Sequence, residues 1–312
     1  MTQSVVANGY GGPENLELIE EPGGRPGPDE VVVTLRAIGV NPIDYKKYSG
    51  AFGDDPSALP IHLGEEGAGV VTDVADGVAG PTGPIARGDA VVVYPYTGTY
   101  ADTVVVPASS VLGKPDGVSF EDAAGLLLVG VTAYDLLQTT GVGADDTVVI
   151  HGGAGAVGTI ATQLAVVAGA TVVATARPEN HEVLRGLGAI PVSYGDGLLE
   201  RLRDAIPGGY TVALDTVGTD EAIDTSLELV GDRTRIASIA AFGRASDGIV
   251  ILDGSGDSSK HNRDVARKQL LDQLANGELT VTTAKEFSLA DAADAHRELK
   301  QTHPRGKFIL TP

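Results

Sequence analysis

Val148-Val149-Ile150-His151-Gly152-Gly153-Ala154-Gly155-Ala156-Val157-Gly158 runs from an apolar, β-branched segment into four closely spaced glycines. Residues 157–168 continue with helical spacing, and residues 171–175 form a second β-branched run. Gly153, Gly155 and Gly158 are spaced Gly-x-Gly-x-x-Gly between the predicted strand and the predicted helix. Such spacing suits a dinucleotide: the first glycine turns tightly, the second lets backbone N–H groups reach a pyrophosphate, and the third lets helix pack on strand. A chain with 42 glycines among 312 residues produces the spacing by chance, so its context carries the argument. The alternative is a purely structural turn. Residues 147–176 contain no Asp, Glu, Lys or Arg, a stretch longer than the ~20 residues of a membrane helix. Five glycines interrupt it, and it reads as buried strand, turn, helix and buried strand rather than a span.

Outward from this turn, predicted strands and helices alternate. Residues 182–187, 198–206 and 221–229 read as helices, and 191–193, 212–215 and 235–240 as strands, which predicts an α/β unit with a doubly wound parallel sheet. Upstream, residues 31–35, 69–71, 90–94 and 103–106 are β-branched runs separated by Pro/Gly turns, a mainly β half. Ser119-Phe120-Glu121-Asp122 fits a capping box, and a single helix is expected from Ala123 through Gln138 to a stop at Gly141. Beyond residue 248 come a short strand, 249–252, a turn-rich segment, 253–257, a helix over 264–276, and a last helix capped by Ser288 before a closing strand at 306–310. Expected boundaries are 1–122, 123–260 and 261–312.

An Asp or Glu at the end of the second strand would bind a ribose 2′-hydroxyl. Residues 172–176 instead lead to Arg177, nineteen positions after Gly158, and small uncharged residues followed by Arg suit a 2′-phosphate. NADP is therefore expected over NAD; the alternative is a solvated charge at the strand end. A net charge of −20 disfavours nucleic acid and anionic membrane surfaces as partners. The absence of Cys excludes disulfides, thiolate-bound zinc, iron–sulfur clusters and a cysteine nucleophile. Met1-Thr2-Gln3-Ser4 leads directly into Val5 without a basic, apolar leader, so a cytoplasmic location is expected. No Gly-x-Ser-x-Gly supports a hydrolase.

Gly39-Val40-Asn41-Pro42-Ile43-Asp44 and residues 9–14, 64–71 and 98–108 in the first half, with residues 130–134, the glycine turn, Leu187-Gly188-Ala189, residues 214–218, Ala295-His296 and Gly306-Lys307, resemble the zinc-free medium-chain dehydrogenases/reductases over nearly the whole chain. The branch resembled is that of the quinone oxidoreductases, similar to zeta-crystallin. This resemblance implies a GroES-like catalytic domain split between the N-terminal part and the C-terminal tail, a Rossmann domain between them, an active site in the cleft, and NADPH-dependent reduction of a quinone. It implies cofactor contacts from Thr132, Gly153, Gly155, Ala156, Val157 and Gly158, and from Arg177, Tyr194, Phe242 and Lys307. Tyr194 takes the place of a tyrosine that contacts the 2′-phosphate, while Asn41 and Thr132 fall where the family lines the nicotinamide pocket. Tyr194 and Thr132 equally suit a sheet-end tyrosine and a helix hydroxyl bonded to its own backbone.

Asn41 and Tyr45 are the expected catalytic residues, with Tyr48 pointing into the same pocket; relatives carry their tyrosine one position later than Tyr45, where this chain has Lys46. Phe52 is expected to form an apolar substrate wall, and Glu65 and Glu66 to be structural. Zinc relatives place Cys at position 41 and His at position 65, so no metal is expected, and His62, His151, His181, His261, His296 and His303 have no ligand spacing. Without a Lewis acid to stabilise an alkoxide, hydride delivery to a quinone or activated C=C suits the chain better than alcohol oxidation. The alternatives are a 2-enoyl or α,β-unsaturated ketone reductase and a non-catalytic, crystallin-like NADPH-binding protein. Residues 249–252 end the βα alternation and should lie at a sheet edge, without Lys or Pro to defend it, which suits a homodimer.

Overall fold

The computed structural model describes residues 1–302 and 304–312; His303 lies outside the described residues. The chain divides into two compact units, one of residues 129–280 and one of residues 1–128 with 281–312.

The 129–280 unit is built on six parallel strands: Thr147–His151, Thr171–Thr175, Ile190–Val192, Val212–Asp215, Ile236–Ser238 and Val250–Ile251. Numbered in chain order they lie 3-2-1-4-5-6, so the order reverses beside the strand that feeds the glycine turn. Helices on both faces require strands that are apolar throughout, and Val148, Val149, Ile150, Val173, Ala213 and Leu214 are fully buried. Each of these Val, Ile and Leu side chains contributes about 1.5–3 kcal/mol relative to exposure. Among the described residues Val250–Ile251 pairs only with Ile236–Ser238 and forms the sheet edge, as its place in the alternation suggests.

Two helices depart from the sequence reading. The apolar stretch after Ser119 is split into Phe120–Ala124 and Leu127–Thr140. The Gly125 N–H closes the first piece on the Glu121 carbonyl at 3.0 Å, and the Leu128 N–H near the start of the second donates at 2.7 Å to the Glu66 carboxylate rather than to a preceding turn. The helix expected from Asp264 begins at Asp257 and runs to Ala275. Its first two turns have no apolar stripe because their inner face is polar: Ser259 and Asn262 donate to the fully buried Asp135, and Arg263 pairs with it at 3.3 Å. A boundary at 260/261 would cut this helix. The chain leaves the unit at Thr280, whose N–H and carbonyl are held by Gln163 at 2.8 and 3.1 Å.

The other unit has a mainly antiparallel sheet ordered Val111–Gly113, Ala90–Val93, Gly67–Val74, Glu30–Val40, Lys307–Thr311 and Thr283–Ser288, with Thr103–Pro107 also on Glu30–Val40. The C-terminal strand pairs with residues 38–40, so the tail completes the sheet begun by the N-terminal part. Alternating residues Val31, Val33 and Leu35 point into a core shared with Tyr48, Tyr100, Phe308 and Leu310.

Candidate functional site

In the 129–280 unit two of the three motif glycines, Gly153 and Gly158, are required by contact. A Cβ on Gly153 would lie 2.6 Å from the Ala174 Cβ, and one on Gly158 only 2.2 Å from the Gly152 carbonyl oxygen. A Cβ on Gly155 would meet the Gly152 carbonyl at 3.3 Å and is otherwise open. Gly155 caps the Ala156–Val167 helix without a side-chain hydrogen bond, so the first helical N–H groups, at Ala156, Val157 and Gly158, face outward beside that open side. The positive end of the helix and these amides fit a pyrophosphate. The Gly152 N–H donates to Thr175 Oγ1 at 3.1 Å and the Gly153 N–H to the Thr175 carbonyl at 2.9 Å, anchoring the turn to the neighbouring strand.

That neighbouring strand ends at Thr175, and the Ala176 N–H donates to the Val192 carbonyl at 3.0 Å. Arg177 and Tyr194 therefore follow the carboxyl ends of adjacent strands, and both are exposed, Tyr194 at 51%. Among the described residues Arg177 is engaged only by Glu179, at 3.5 Å, a surface pair that a phosphate would displace at little cost. The donors fit a 2′-phosphate. Phe242 is 51% exposed at the start of the Phe242–Asp247 turn of helix. Thr132 is buried and its Oγ1 accepts from Arg263 at 3.2 Å.

Sequence reading missed Asp215, at the switch in strand order. Its carboxylate accepts from the N–H groups of Val217 and Gly218 at 3.0 Å and from Ser238 Oγ at 2.5 Å, and so shapes the loop after the fourth strand. An acid ending an otherwise apolar strand was the available signal. Beside it in register, His151 is buried with an unpartnered Nε2, and burial lowers its pKa to about 4.

In the other unit the expected catalytic residues share one short helix, Pro42–Tyr48, which Asn41 caps and which carries Tyr45, but their side chains have separate partners. Asn41 is fully buried: its Nδ2 donates to Glu66 at 3.1 Å and to the Gly39 carbonyl at 3.4 Å, and its Oδ1 accepts from Lys307. Lys307 Nζ also binds Glu66 at 2.9 Å, so it serves as the counter-ion of a buried carboxylate. Glu66 is structural as expected, while Glu65 pairs with Lys47 and accepts from Thr97. Tyr48 does not face a pocket. It is fully buried and its hydroxyl meets His296 Nδ1 at 2.7 Å; His296 Nε2 meets the Tyr100 hydroxyl at 2.9 Å, which donates to Asp44 at 3.1 Å. Asp44 also accepts from the Asn41 N–H at 2.8 Å. Tyr45 is half-buried, edge-on to His296 and beneath Lys300, and burial raises its pKa. Phe52, 67% exposed, lines an open recess of 710 Å³ with Tyr10, Lys47, His62 and Thr97. Among the described residues no three His, Cys, Asp or Glu are grouped to hold a metal.

Burial raises the Asp44 pKa to about 7, with Glu65 adding to the effect, and burial lowers that of His296 to about 4, with Lys300 adding. The two act oppositely on stability. Between pH 4 and the ordinary His value the unfolded chain takes up a proton that folded His296 refuses, so its contribution falls as pH falls. Over much of that window folded Asp44 keeps a proton that the unfolded chain releases, so its contribution falls as pH rises. Asp44→Asn removes the second effect, and its unfolding free energy should rise with pH between 4 and 6.5 more steeply than the wild type's, by about 1 kcal/mol per pH unit. Urea melts across that range check this; parallel curves would contradict it.

Residues 27–116 match the alcohol dehydrogenase GroES-like domain, and residues 156–266 the zinc-binding dehydrogenase family. A quinone oxidoreductase of Pseudomonas aeruginosa is 31% identical, with 100% of each chain covered. A 2-haloacrylate reductase of Burkholderia is 32% identical, covering 100% of this chain and 99% of its own. The crystal structure of Escherichia coli quinone oxidoreductase complexed with NADPH aligns over 100% of both chains with TM-score 0.86 and 29% identity. With the 3-2-1-4-5-6 sheet, the glycine turn and the tail-completed β unit, these matches establish that the chain belongs to the quinone oxidoreductase family of zinc-free medium-chain dehydrogenases/reductases.

Proposed function

We propose that the protein is an NADPH-dependent oxidoreductase that reduces a quinone-type acceptor without a metal. One observation carries the cofactor reading: the strand beside the glycine turn, Thr171–Thr175, leads into Arg177, exposed Tyr194 follows the adjacent strand, and no acid stands where a ribose 2′-hydroxyl would be bound. Bound NADPH supplies the hydride. The chain supplies amides of residues 156–158 for the pyrophosphate and Arg177 with Tyr194 for the 2′-phosphate. In the other unit, Asn41 and Tyr45 sit on and beside a polar cluster held rigid by Glu66 and Lys307, and Phe52 offers an apolar wall to a flat acceptor. Asn41, with both amide ends engaged, acts by fixing the start of the helix Pro42–Tyr48, which carries Tyr45. A quinone that has accepted the hydride needs one proton, which water can give, so no protein acid is required. NADPH is expected to bind at least about tenfold more tightly than NADH, a difference of ~1.4 kcal/mol within reach of one or two charge-assisted bonds. Equal dissociation constants by fluorescence titration would sink the cofactor reading.

The resemblance to a 2-haloacrylate reductase favours a second reading, reduction of an activated C=C, in the same site. Parallel assays with quinones and α,β-unsaturated carbonyls separate the two, and tight NADPH binding without turnover of either would favour a non-catalytic protein. Among the described residues no helix is long and apolar enough to cross a membrane, and a cytoplasmic location agrees with the unassisted solubility a −20 charge gives.

A homodimer is part of this reading. The edge strand Val250–Ile251 leaves one row of N–H and C=O groups without a strand partner among the described residues, and residues 249–252 are apolar. Pairing with the same strand of a second copy about a two-fold axis satisfies both. Val250→Pro, which deletes a donor, should shift light scattering towards monomer. A wild-type monomer of 31.8 kDa at micromolar concentration would contradict the dimer.

A further inference from the structure

Tyr194 has an exposed ring, and among the described residues no hydrogen bond holds its hydroxyl, so the backbone alone determines where the ring stands. That backbone is the loop between the strand Ile190–Val192 and the helix Leu198–Ala205. It contains Gly195 at φ 93° and Gly197 at φ 79°, both in the left-handed region, and by composition it is a poor candidate for rigidity. One side chain counters this. Arg201, in the first turns of the following helix, turns back and donates from Nε to the Ser193 carbonyl at 2.9 Å, from Nη2 to that of Gly195 at 2.8 Å, and from Nη1 to that of Asp196 at 2.7 Å. The three acceptors bracket Tyr194 on both sides. From the opposite direction Glu221 accepts the Gly195 N–H at 3.1 Å.

Three charge-assisted bonds from one planar fork fix three peptide orientations, one before Tyr194 and two after it, a task for which a flexible ammonium has the wrong shape. All three nitrogens of the guanidinium are committed to the loop, so Arg201 acts on a ligand through the loop rather than by touching it. We propose that Arg201 is a positioning residue that holds Tyr194 in place for the 2′-phosphate and thereby sets the preference for NADPH over NADH. The proposal rests on the assignment of Tyr194 and Arg177 to that phosphate. NADH lacks the 2′-phosphate, and the glycine turn that would hold its pyrophosphate is anchored to the strand Thr171–Thr175, by bonds that do not involve Arg201.

The test is fluorescence titration of NADPH and NADH against the full-length wild type, Arg201→Lys, Tyr194→Ala and the double variant, with thermal melting of each. Arg201→Lys keeps the charge and loses the fork; it should bind NADPH about fivefold or more weakly while NADH changes less than about twofold. In a double-mutant cycle, adding Arg201→Lys to Tyr194→Ala should cost little more than Tyr194→Ala alone. If Arg201→Lys does not fold, Gly195→Ala gives the same readout. Its added Cβ meets nothing within 4 Å, yet the φ of 93° strains the loop, so the same ratio should fall with no change of charge. An unchanged NADPH-to-NADH ratio in Arg201→Lys or Gly195→Ala, or full additivity with Tyr194→Ala, overturns the positioning role. A wild type with no preference for NADPH overturns the underlying phosphate assignment, and the wild-type titration alone reveals it.

Discussion

Gly158→Ala is expected to abolish measurable NADPH binding and to destabilise the fold by about 2–3 kcal/mol. The new Cβ would sit 2.2 Å from the Gly152 carbonyl oxygen and 2.9 Å from both the Gly152 carbonyl carbon and the Gly153 Cα. All three are backbone atoms, so no rotamer change relieves the clash. The helix Ala156–Val167 must move away from the turn, carrying with it the amides that would meet the pyrophosphate. Gly155→Ala separates the two effects: its Cβ has one contact, at 3.3 Å, and it should melt near the wild-type temperature while still losing NADPH affinity, because it fills the space on the ligand side. Calorimetry and cofactor titration on both variants check this. Wild-type affinity in Gly158→Ala would show that the turn does not hold the cofactor.

The second large effect is expected in the other unit. Lys307→Met should cost about 3–5 kcal/mol, because it leaves the Glu66 carboxylate buried without its cation. Asn41 Nδ2 and the Leu128 N–H would still donate to Glu66, but neither carries charge. Adding Glu66→Gln removes the stranded charge, so the double variant should recover part of the loss in urea unfolding. A single-variant loss below about 1 kcal/mol would mean the pair contributes no more than a surface ion pair.

The parallel sheet was legible because its strands are short, continuous apolar runs and helices with 3.6-residue spacing fall between them. The edge position of residues 249–252 followed from the same alternation. Where tertiary polar contacts replace the apolar stripe, legibility failed: the first turns of Asp257–Ala275 present Ser259, Asn262 and Arg263 to a buried Asp135, and no hydrophobic pattern announces them. Gly125 falls inside the single helix expected over 123–138, whereas at the break the Leu128 N–H donates to Glu66, sixty-two positions away in sequence. The glycine turn was readable from its spacing together with the apolar strand before it and the helix after it. Asn41 and Tyr48 were found as residues of interest but not in their surroundings, since their partners Lys307 and His296 are more than 240 positions away in sequence. Arg201 escaped notice because an arginine on a short amphipathic helix reads as a solvated charge, and only the returned hydrogen bonds distinguish it.

The most direct test of the central claim is NADPH consumption by the purified protein with a simple quinone as acceptor, followed beside NADH and repeated in a strong chelator. NADPH should be oxidised in step with quinone reduction, one for one, with a kcat/KM well above that for NADH and a rate the chelator leaves unchanged. No NADPH oxidation across a panel of quinones and activated alkenes, or a rate lost in chelator and restored by zinc, would contradict the account.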